Sequence, residues 1–409
     1  MCVVTQFHDP RKWSLLGSSL LVVTLISFLF VGIFVNGLGG SSLVDAVYVK
    51  TEDELRNAIN NAPTGKPITI ALDNDITLTK TTDDHNSNYH PVNIIIPADK
   101  DITLTSNKPN GYYKLTGAVN GTILFVASNG ILRIDGITVT HTRNTVGSGV
   151  SVYRFAEFYL YNGIIYGNKA NIAGGVFNAG IFVMSGGTIS GNAATDSGGG
   201  VYNIGTFAMS GGEISGNTAA SNGGGIWDYM GVFTMSGGTI LGNTATGGSG
   251  GGVHLWGGVH LGYSEFTMSG GEISGNKAAK WGGGVHSGAN FTMSNGKISG
   301  NIATLGGGVY NAYVFTMSGG EISGNTAATG GGVYNIRNFG DDDLAGTFNR
   351  LGGKISGNIA SSGNNVYPTG SLRVVVVIVS VVSVVVTICI VLFVLRNSSE
   401  KRLDQTEKR

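Results

Sequence analysis

The clearest pattern of hydrophobic and polar positions is a 13-residue phrase that occurs eight times, with the consensus F-T-M-S-G-G-E-I-S-G-N-T-A. In the commonest form the copy alternates apolar and polar residues at its start, as in Phe233-Thr234-Met235, and continues after a glycine pair with a second apolar segment at Ile240. A third segment follows a run of glycines, as at Val253. Because alternation with a period of two indicates strands and glycine indicates turns, the phrase predicts three short strands per repeat.

The spacing of the copies predicts a solenoid. Successive copies start 24, 25, 26, 33, 25, 24 and 33 residues apart, so the unit has about 25 residues and two insertions of about eight. Helical repeats need longer units with a period of 3.6, and leucine-rich repeats need a different leucine pattern. The sequence therefore predicts an all-β, right-handed parallel β-helix. The copies begin at Phe158, Phe182, Phe207, Phe233, Phe266, Phe291, Phe315 and Phe348.

Stacked coils of equal length place identical positions in register about 4.8 Å apart. The phenylalanine and isoleucine positions are then expected to face inward as the core, with methionine at the third position as filler. Every copy has Gly-Asn at its tenth and eleventh positions, and both residue types tolerate left-handed backbone. We expect a structural asparagine ladder at this corner, with a ligand-binding row as the alternative. Its members are Asn168, Asn192, Asn217, Asn243, Asn276, Asn301, Asn325 and Asn358.

The chain divides into a regular part, residues 158–367, and a less regular part before it, residues 46–157. An amphipathic stretch at residues 52–61 predicts a short helix that caps the first coil, since an open coil end is a reactive strand edge. Degenerate coils are expected at residues 68–72, 102–105, 112–116, 123–126 and 132–140. The whole β-helix should contain about 11 to 12 coils.

Both ends of the chain are apolar. Residues 1–45 contain a run at residues 14–35 preceded by Arg11 and Lys12, which is typical of a signal peptide or a signal-anchor. Residues 374–395 are uncharged and long enough for a transmembrane helix. The basic tail at residues 396–409 favours the cytoplasm by the positive-inside rule. We expect a single-pass protein of the cell membrane with a cleaved signal and an extracellular β-helix.

Composition narrows the choice of function. Glycine supplies 68 of 409 residues without a Gly-X-Y period, which argues for a regular fold other than collagen. The formal net charge is zero, so no nucleic-acid partner is expected. Of the two cysteines, Cys2 lies near the start of the chain and Cys389 in the last apolar run, so neither a disulfide nor a thiolate metal site is expected in the β-helix. No cofactor is predicted.

The candidate binding residues form an aromatic stripe directly after the glycine-rich turn. If the preceding valine faces inward, strand alternation turns these rings outward, where a flat row would suit stacking on sugars. The alternative is that stacked rings only stabilise a sheet face. Two adjacent histidines lack a third ligand, so no metal site is expected there. The stripe comprises Phe177, Tyr202, Trp227, His254, His286, Tyr310, Tyr334 and Tyr367.

Both insertions follow the third strand and are expected at one edge of the solenoid, where binding loops are common. The first carries Trp256, a further candidate for ligand binding. The second carries Asp341, Asp342 and Asp343, a weak candidate for calcium that is also typical of a solvated loop.

The repeat resembles known surface proteins. The pairing of I-S-G-N-x-A with G-G-G-V/I is similar to repeats of chlamydial polymorphic membrane proteins, and the phrase F-x-M-S-G-G-x-I-S-G-N resembles adhesin-like surface proteins of archaea and some bacteria. The similarity covers residues 158–367. Isoleucine stands where the chlamydial family has phenylalanine, and no autotransporter barrel segment follows. The resemblance implies a surface β-helix with an adhesin-type role.

The leading functional hypothesis is an adhesin-like or structural surface protein that binds glycans or neighbouring surfaces without catalysis. A polysaccharide lyase or hydrolase is the main alternative, because β-helices host such enzymes, and a passive spacer is the second. Glycan cleavage needs carboxylates gathered on neighbouring coils. Asp135, Asp196 and Asp228 occupy unrelated repeat positions, so no catalytic residue is assigned.

Overall fold

The computed structural model describes residues 46–82, 91–257, 264–336 and 345–368. These residues form forty strands and one α-helix, Glu52–Asn60. In the regular repeats, equivalent strands of neighbouring coils pair in parallel without a shift in register, for example with Phe207 opposite Phe233. The predicted all-β parallel β-helix is confirmed.

The largest sheet, here called the phenylalanine sheet, has 21 strands arranged in two parallel ladders. Two long strands, Ile131–His141 and Glu157–Tyr166, belong to both ladders and join them. The remaining strands of the first ladder are Val47–Val49, Pro67–Leu72, Asp101–Ser106, Ile181–Met184, Thr206–Met209, Val232–Met235, Glu265–Met268, Asn290–Met293, Val314–Met317 and Thr347–Arg350. Those of the second ladder are Ile76–Leu78, Lys114–Gly117, Thr188–Ser190, Glu213–Ser215, Thr239–Leu241, Glu272–Ser274, Lys297–Ser299, Glu321–Ser323 and Lys354–Ser356.

Two smaller sheets complete the regular coils. The valine sheet has 11 strands, which agrees with the expected number of coils. Its strands are Val92–Ile96, Thr122–Val126, Val150–Val152, Val176–Asn178, Val201–Asn203, Ile226–Tyr229, Val253–Trp256, Val285–Ser287, Val309–Asn311, Val333–Asn335 and Val366–Tyr367. The short sheet has eight strands, Lys169–Ala170, Ala193–Ala194, Thr218–Ala219, Thr244–Ala245, Lys277–Ala278, Ile302–Leu305, Thr326–Thr329 and Ile359–Ser362.

A regular coil thus contains four strand segments, whereas the sequence predicted three. The additional segment is the short sheet, which follows the ladder asparagine. Five of its strands are only two residues long, too short for an alternating pattern to indicate them. The predicted strands at Phe233, Ile240 and Val253 all form as expected.

The core consists of side-chain ladders that run through successive coils. The eight repeat phenylalanines are buried, and neighbouring rings stack with centroids 4.5–4.9 Å apart. The isoleucine and methionine positions are buried beside them. Removing one such side chain from water contributes about 1.5–3 kcal/mol, so the ladders are the main apolar stabilisation of the stack.

The glycine run before each valine strand is required by close backbone packing. Gly198 has a φ of +72°, which favours glycine. A Cβ on Gly199 would lie 2.5 Å from the carbonyl oxygen of Gly224, and one on Gly200 would lie 2.6 Å from that of Gly225. No larger residue fits these two positions without separating the coils.

The first coil of the β-helix is capped by a helix, and in the last described coil an asparagine ends the corner ladder. Glu52–Asn60 is the helix expected at the first coil, and its Leu55 and Ile59 are buried in the core. Thr51 caps this helix by accepting a hydrogen bond from the backbone of Glu54. At the other end the Asn365 side chain accepts hydrogen bonds from the side chain and backbone of Asn358.

No helix within the described ranges is long and apolar enough to span a membrane. The proposed signal segment, residues 1–45, and the proposed transmembrane segment, residues 374–395, lie outside the described residues. Both remain predictions from sequence.

Candidate binding surface

The aromatic stripe forms a continuous column on the valine sheet. Phe177, Tyr202, Trp227, His254, His286, Tyr310, Tyr334 and Tyr367 occupy the second position of successive strands and lie in register. The valines and isoleucine that precede them are buried, except the partly buried Val366 in the last coil. Strand alternation therefore brings these rings together on the opposite side of the sheet from the core.

The rings do not form the flat outward row that the sequence suggested. Along most of the column they stack on one another, as between Tyr310 and Tyr334, whose ring centroids are 5.2 Å apart and whose planes differ by 4°. Each stacked ring covers a face of its neighbour, so sugars cannot reach these faces. Tyr202, His254 and His286 are 9%, 2% and 6% exposed. The glycine-rich turn also covers the column, since a Cβ on Gly250 would lie 2.5 Å from the His254 Cβ.

The regular stack is interrupted at Trp227. Its ring meets that of Tyr202 edge-on, with centroids 4.7 Å apart and planes at 89°. Tyr229, two residues later on the same strand, packs against Trp227 at 5.4 Å and 62°. The Nε1 of Trp227 is buried without a hydrogen-bond partner in the described residues. At Trp227 the column therefore changes from rings that stack in parallel to rings that meet edge-on.

Two exposed tryptophans lie beside the column, in the two coils that follow the coil of Trp227. Trp256 is 42% exposed and its ring centroid is 6.2 Å from that of His254. Trp281 is 40% exposed and stacks on Tyr310 at 5.3 Å, with His286 at 6.0 Å. We call Trp227, Tyr229, Trp256 and Trp281 the tryptophan cluster. Within this cluster, Trp256 and Trp281 offer the large, exposed aromatic rings that the stacked column does not.

Sequence reasoning found Trp227 and Trp256 but missed Tyr229 and Trp281. Trp281 occupies the variable position before the glycine run, where other coils have Ser197, Leu305 or Thr329. The signal in the sequence was a tryptophan at a position that has no aromatic residue in the neighbouring coils. Its contact with the column required knowledge of how the turn folds back onto the strand.

His254 and His286 form the most unusual part of the column. Their rings are 4.3 Å apart and nearly parallel, at 5°. Burial lowers the pKa of His286 to about 4 and lowers the pKa of His254 well below its ordinary value. Nearby backbone groups at Ser249 and Leu255 offset part of this effect without forming hydrogen bonds of normal geometry. Both imidazoles are therefore neutral at pH 7.

The eight corner asparagines are buried and linked by hydrogen bonds. From Asn168 to Asn325, each side-chain amide donates to the Oδ1 of the asparagine in the next coil at 2.9–3.0 Å. The same Oδ1 accepts the backbone N–H of the preceding asparagine. With their polar atoms used in this way, the asparagines are not available to a ligand.

A second polar column, missed in the sequence, runs along the third position of the valine strands. Asn178 donates to Asn203 at 2.7 Å, and Asn311 donates to Asn335 at 2.7 Å. Asp228 occupies this column and accepts hydrogen bonds from Asn203 and Ser264. Burial raises the pKa of Asp228 to about 7. In the sequence, this polar column is indicated by an asparagine that recurs two residues after the inward-facing valine.

The other carboxylates considered for catalysis lie apart in the coil pattern. Asp135 sits beside a bulge in Ile131–His141, and burial raises its pKa. Asp196 lies in a turn and accepts a hydrogen bond from Ser197. Within the described ranges no group of three or more His, Cys, Asp or Glu side chains is placed to hold a metal ion. The weak calcium candidate, Asp341 to Asp343, lies outside the described residues.

The comparisons with known proteins give no relative for this chain. No family model, curated protein or solved structure matches it. The likeness to polymorphic membrane proteins and adhesins therefore stays a resemblance of the repeat.

Proposed function

We propose that this chain is an adhesin-like binding protein that presents its β-helix at the cell surface and binds glycans through the tryptophan cluster. The observation that carries the proposal is the placement of Trp256 and Trp281, each about two-fifths exposed, beside one column of rings. Trp256 packs against His254, Trp281 packs against His286, and these two imidazole rings stack on each other.

The chemistry of the cluster favours a sugar ligand. An aromatic ring held by packing on one side presents a rigid apolar face at little conformational cost. The C–H face of a pyranose is apolar and fits such a ring, while its hydroxyl groups remain in water. Trp281 is held in this way by Tyr310, and Trp256 lies beside His254.

The surface location rests on the two apolar end segments. A signal at residues 1–45 would export the β-helix, and a span at residues 374–395 would retain it at the membrane with the basic tail inside. This arrangement places the tryptophan cluster outside the cell, where glycans are available.

The test incubates the full-length chain with a panel of polysaccharides and cell-surface glycans and scores retention and new reducing ends together. We expect retention without cleavage, weakened about tenfold or more by Trp256→Ala and by Trp281→Ala, because each removes a stacking ring. Tyr166→Ala is the matched control, since Tyr166 is 54% exposed but outside the cluster.

Each other outcome contradicts the proposal in a different way. Release of reducing ends would make the chain a lyase or hydrolase. Absence of retention across the panel would favour a spacer or a protein partner. Equal losses in Tyr166→Ala and the tryptophan variants would show that the cluster is not the site.

A further inference from the structure

The turn that carries Trp281 also carries a lysine. Lys280 directly precedes Trp281, and both residues are exposed. The backbone N–H of Lys280 donates to the carbonyl oxygen of Gly248 at 2.9 Å. Its carbonyl oxygen accepts from the backbone N–H groups of Thr304 and Leu305, both at 3.0 Å. These bonds to the two neighbouring coils hold Lys280 in a fixed place beside an exposed ring of the tryptophan cluster.

The fold does not use the ammonium group of Lys280. Within the part of the chain that the structure describes, no carboxylate forms an ion pair with it, and it lies over no aromatic ring. The face of Trp281 is therefore not covered by the lysine that precedes it. Both the charge and the ring are left for a ligand.

The surroundings of Lys280 carry no compensating negative charge. The turns of five successive coils contain two lysines, Lys277 and Lys280, and no aspartate or glutamate. Along this row of turns the nearest carboxylate is that of Asp196, three coils away, which is about 14 Å at the usual spacing of strands. This distance exceeds the Debye length of about 8 Å at physiological ionic strength, so Asp196 does not neutralise the lysine. The five turns are residues 217–225, 243–252, 276–284, 301–308 and 325–332.

We propose, resting on the glycan function proposed above, that the ligand of the tryptophan cluster is an acidic glycan. Its sugar ring stacks on Trp281, and its carboxylate or sulfate group pairs with Lys280. An ammonium group is a compact point charge that suits such an anion. The aromatic ring beside the pair excludes water from one side, which strengthens the attraction. Because ring and charge belong to adjacent residues, one acidic sugar unit meets both.

The test compares acidic and neutral probes on the full-length chain. The two matched pairs are dextran sulfate with dextran, and polygalacturonate with its methyl ester. We expect the acidic member of at least one pair to be retained about tenfold more strongly than its neutral partner at low salt. This preference should disappear at about 0.5 M salt, because screening weakens an exposed ion pair but not the stacking of rings. The two pairs distinguish a sulfate from a carboxylate.

Variants of the lysine assign the preference to this site. Lys280→Gln should weaken retention of the preferred acidic probe about fivefold and leave that of its neutral partner unchanged, and Lys280→Arg should restore most of the loss. Lys297→Gln removes the same charge from another exposed lysine, which lies in the phenylalanine sheet on Lys297–Ser299, and should have little effect. Trp281→Ala should weaken retention of both members of the pair.

The outcomes separate this inference from the proposed function. Equal retention of acidic and neutral probes, with a loss in Trp281→Ala but none in Lys280→Gln, would overturn the acidic ligand and leave the glycan function standing. Equal losses in Lys280→Gln and Lys297→Gln would also overturn it, because the chain would then attract polyanions through its overall charge. Absence of retention for every probe would remove the glycan function and this inference with it.

Discussion

At the scale of single residues, Asp228 is the clearest exception to the repeat. It occupies a buried column where Asn178 and Asn203 stand in earlier coils, and its pKa is raised to about 7 from an ordinary value of 3.8. Between these two pH values the folded state binds more protons than the unfolded state. The protonated carboxyl of Asp228 therefore makes its full contribution to stability below about pH 4. This contribution declines as the pH rises towards 7.

Asp228→Asn should remove the loss of stability that Asp228 causes as the pH rises. The asparagine can accept from Asn203 and donate to Ser264, which continues the amide column without a buried charge. We expect the variant to be more stable by about 1–3 kcal/mol at pH 8 and nearly equal at pH 4, measured by chemical denaturation at both values. Asp196→Asn, in a turn, is the control. A stability difference that is the same at pH 4 and pH 8 would contradict the argument.

At the scale of elements, the corner asparagine ladder ties each coil to the next. The Asn243 side chain accepts from the backbone and side chain of Asn217 and donates to Asn276 and to the carbonyl oxygen of Ile214. Its removal leaves these buried groups without partners in the centre of the stack. A defect at this corner should therefore weaken the contact between coils more than the loss of an outward-facing side chain.

Asn243→Ala should reduce the free energy of unfolding by about 3–5 kcal/mol, because several buried hydrogen bonds are lost at once. Thr234→Ala, at the half-buried second position of the phrase in the same coil, should cost below about 1 kcal/mol. Denaturant unfolding followed by circular dichroism measures both. Similar losses in the two variants would mean that the ladder does not stabilise the stack.

The same elements show what could be predicted from the sequence. The phenylalanine and isoleucine ladders, the cap at Glu52–Asn60 and the register of the aromatic column follow from periodicity and spacing. Periodicity indicates which side of a strand a residue occupies but not what covers that side. The burial of His254 and the placement of Trp281 depend on how the glycine-rich turn folds over the strand, which residue spacing does not encode.

At the scale of the whole molecule, the β-helix is a series of equivalent contacts between neighbouring coils. Identical positions pair without offset through the regular repeats, as in the series Phe182, Phe207 and Phe233. The stability of such a solenoid is approximately a sum over coils and their interfaces. Coil number should therefore be adjustable, provided that a complete coil is added or removed.

Deletion of residues 182–206 removes one complete coil and joins Ile181 to Phe207. The new neighbours, Leu160 and Met209, are both buried and apolar, and Asn168 would meet Asn217 in the corner ladder. We expect cooperative unfolding, unchanged circular dichroism per residue and a midpoint lower by only about 2–5 °C. Deletion of residues 182–194 is the control, since half a coil places strands against turns and should prevent folding. If the complete-coil deletion also fails to fold, contacts beyond neighbouring coils must contribute to stability.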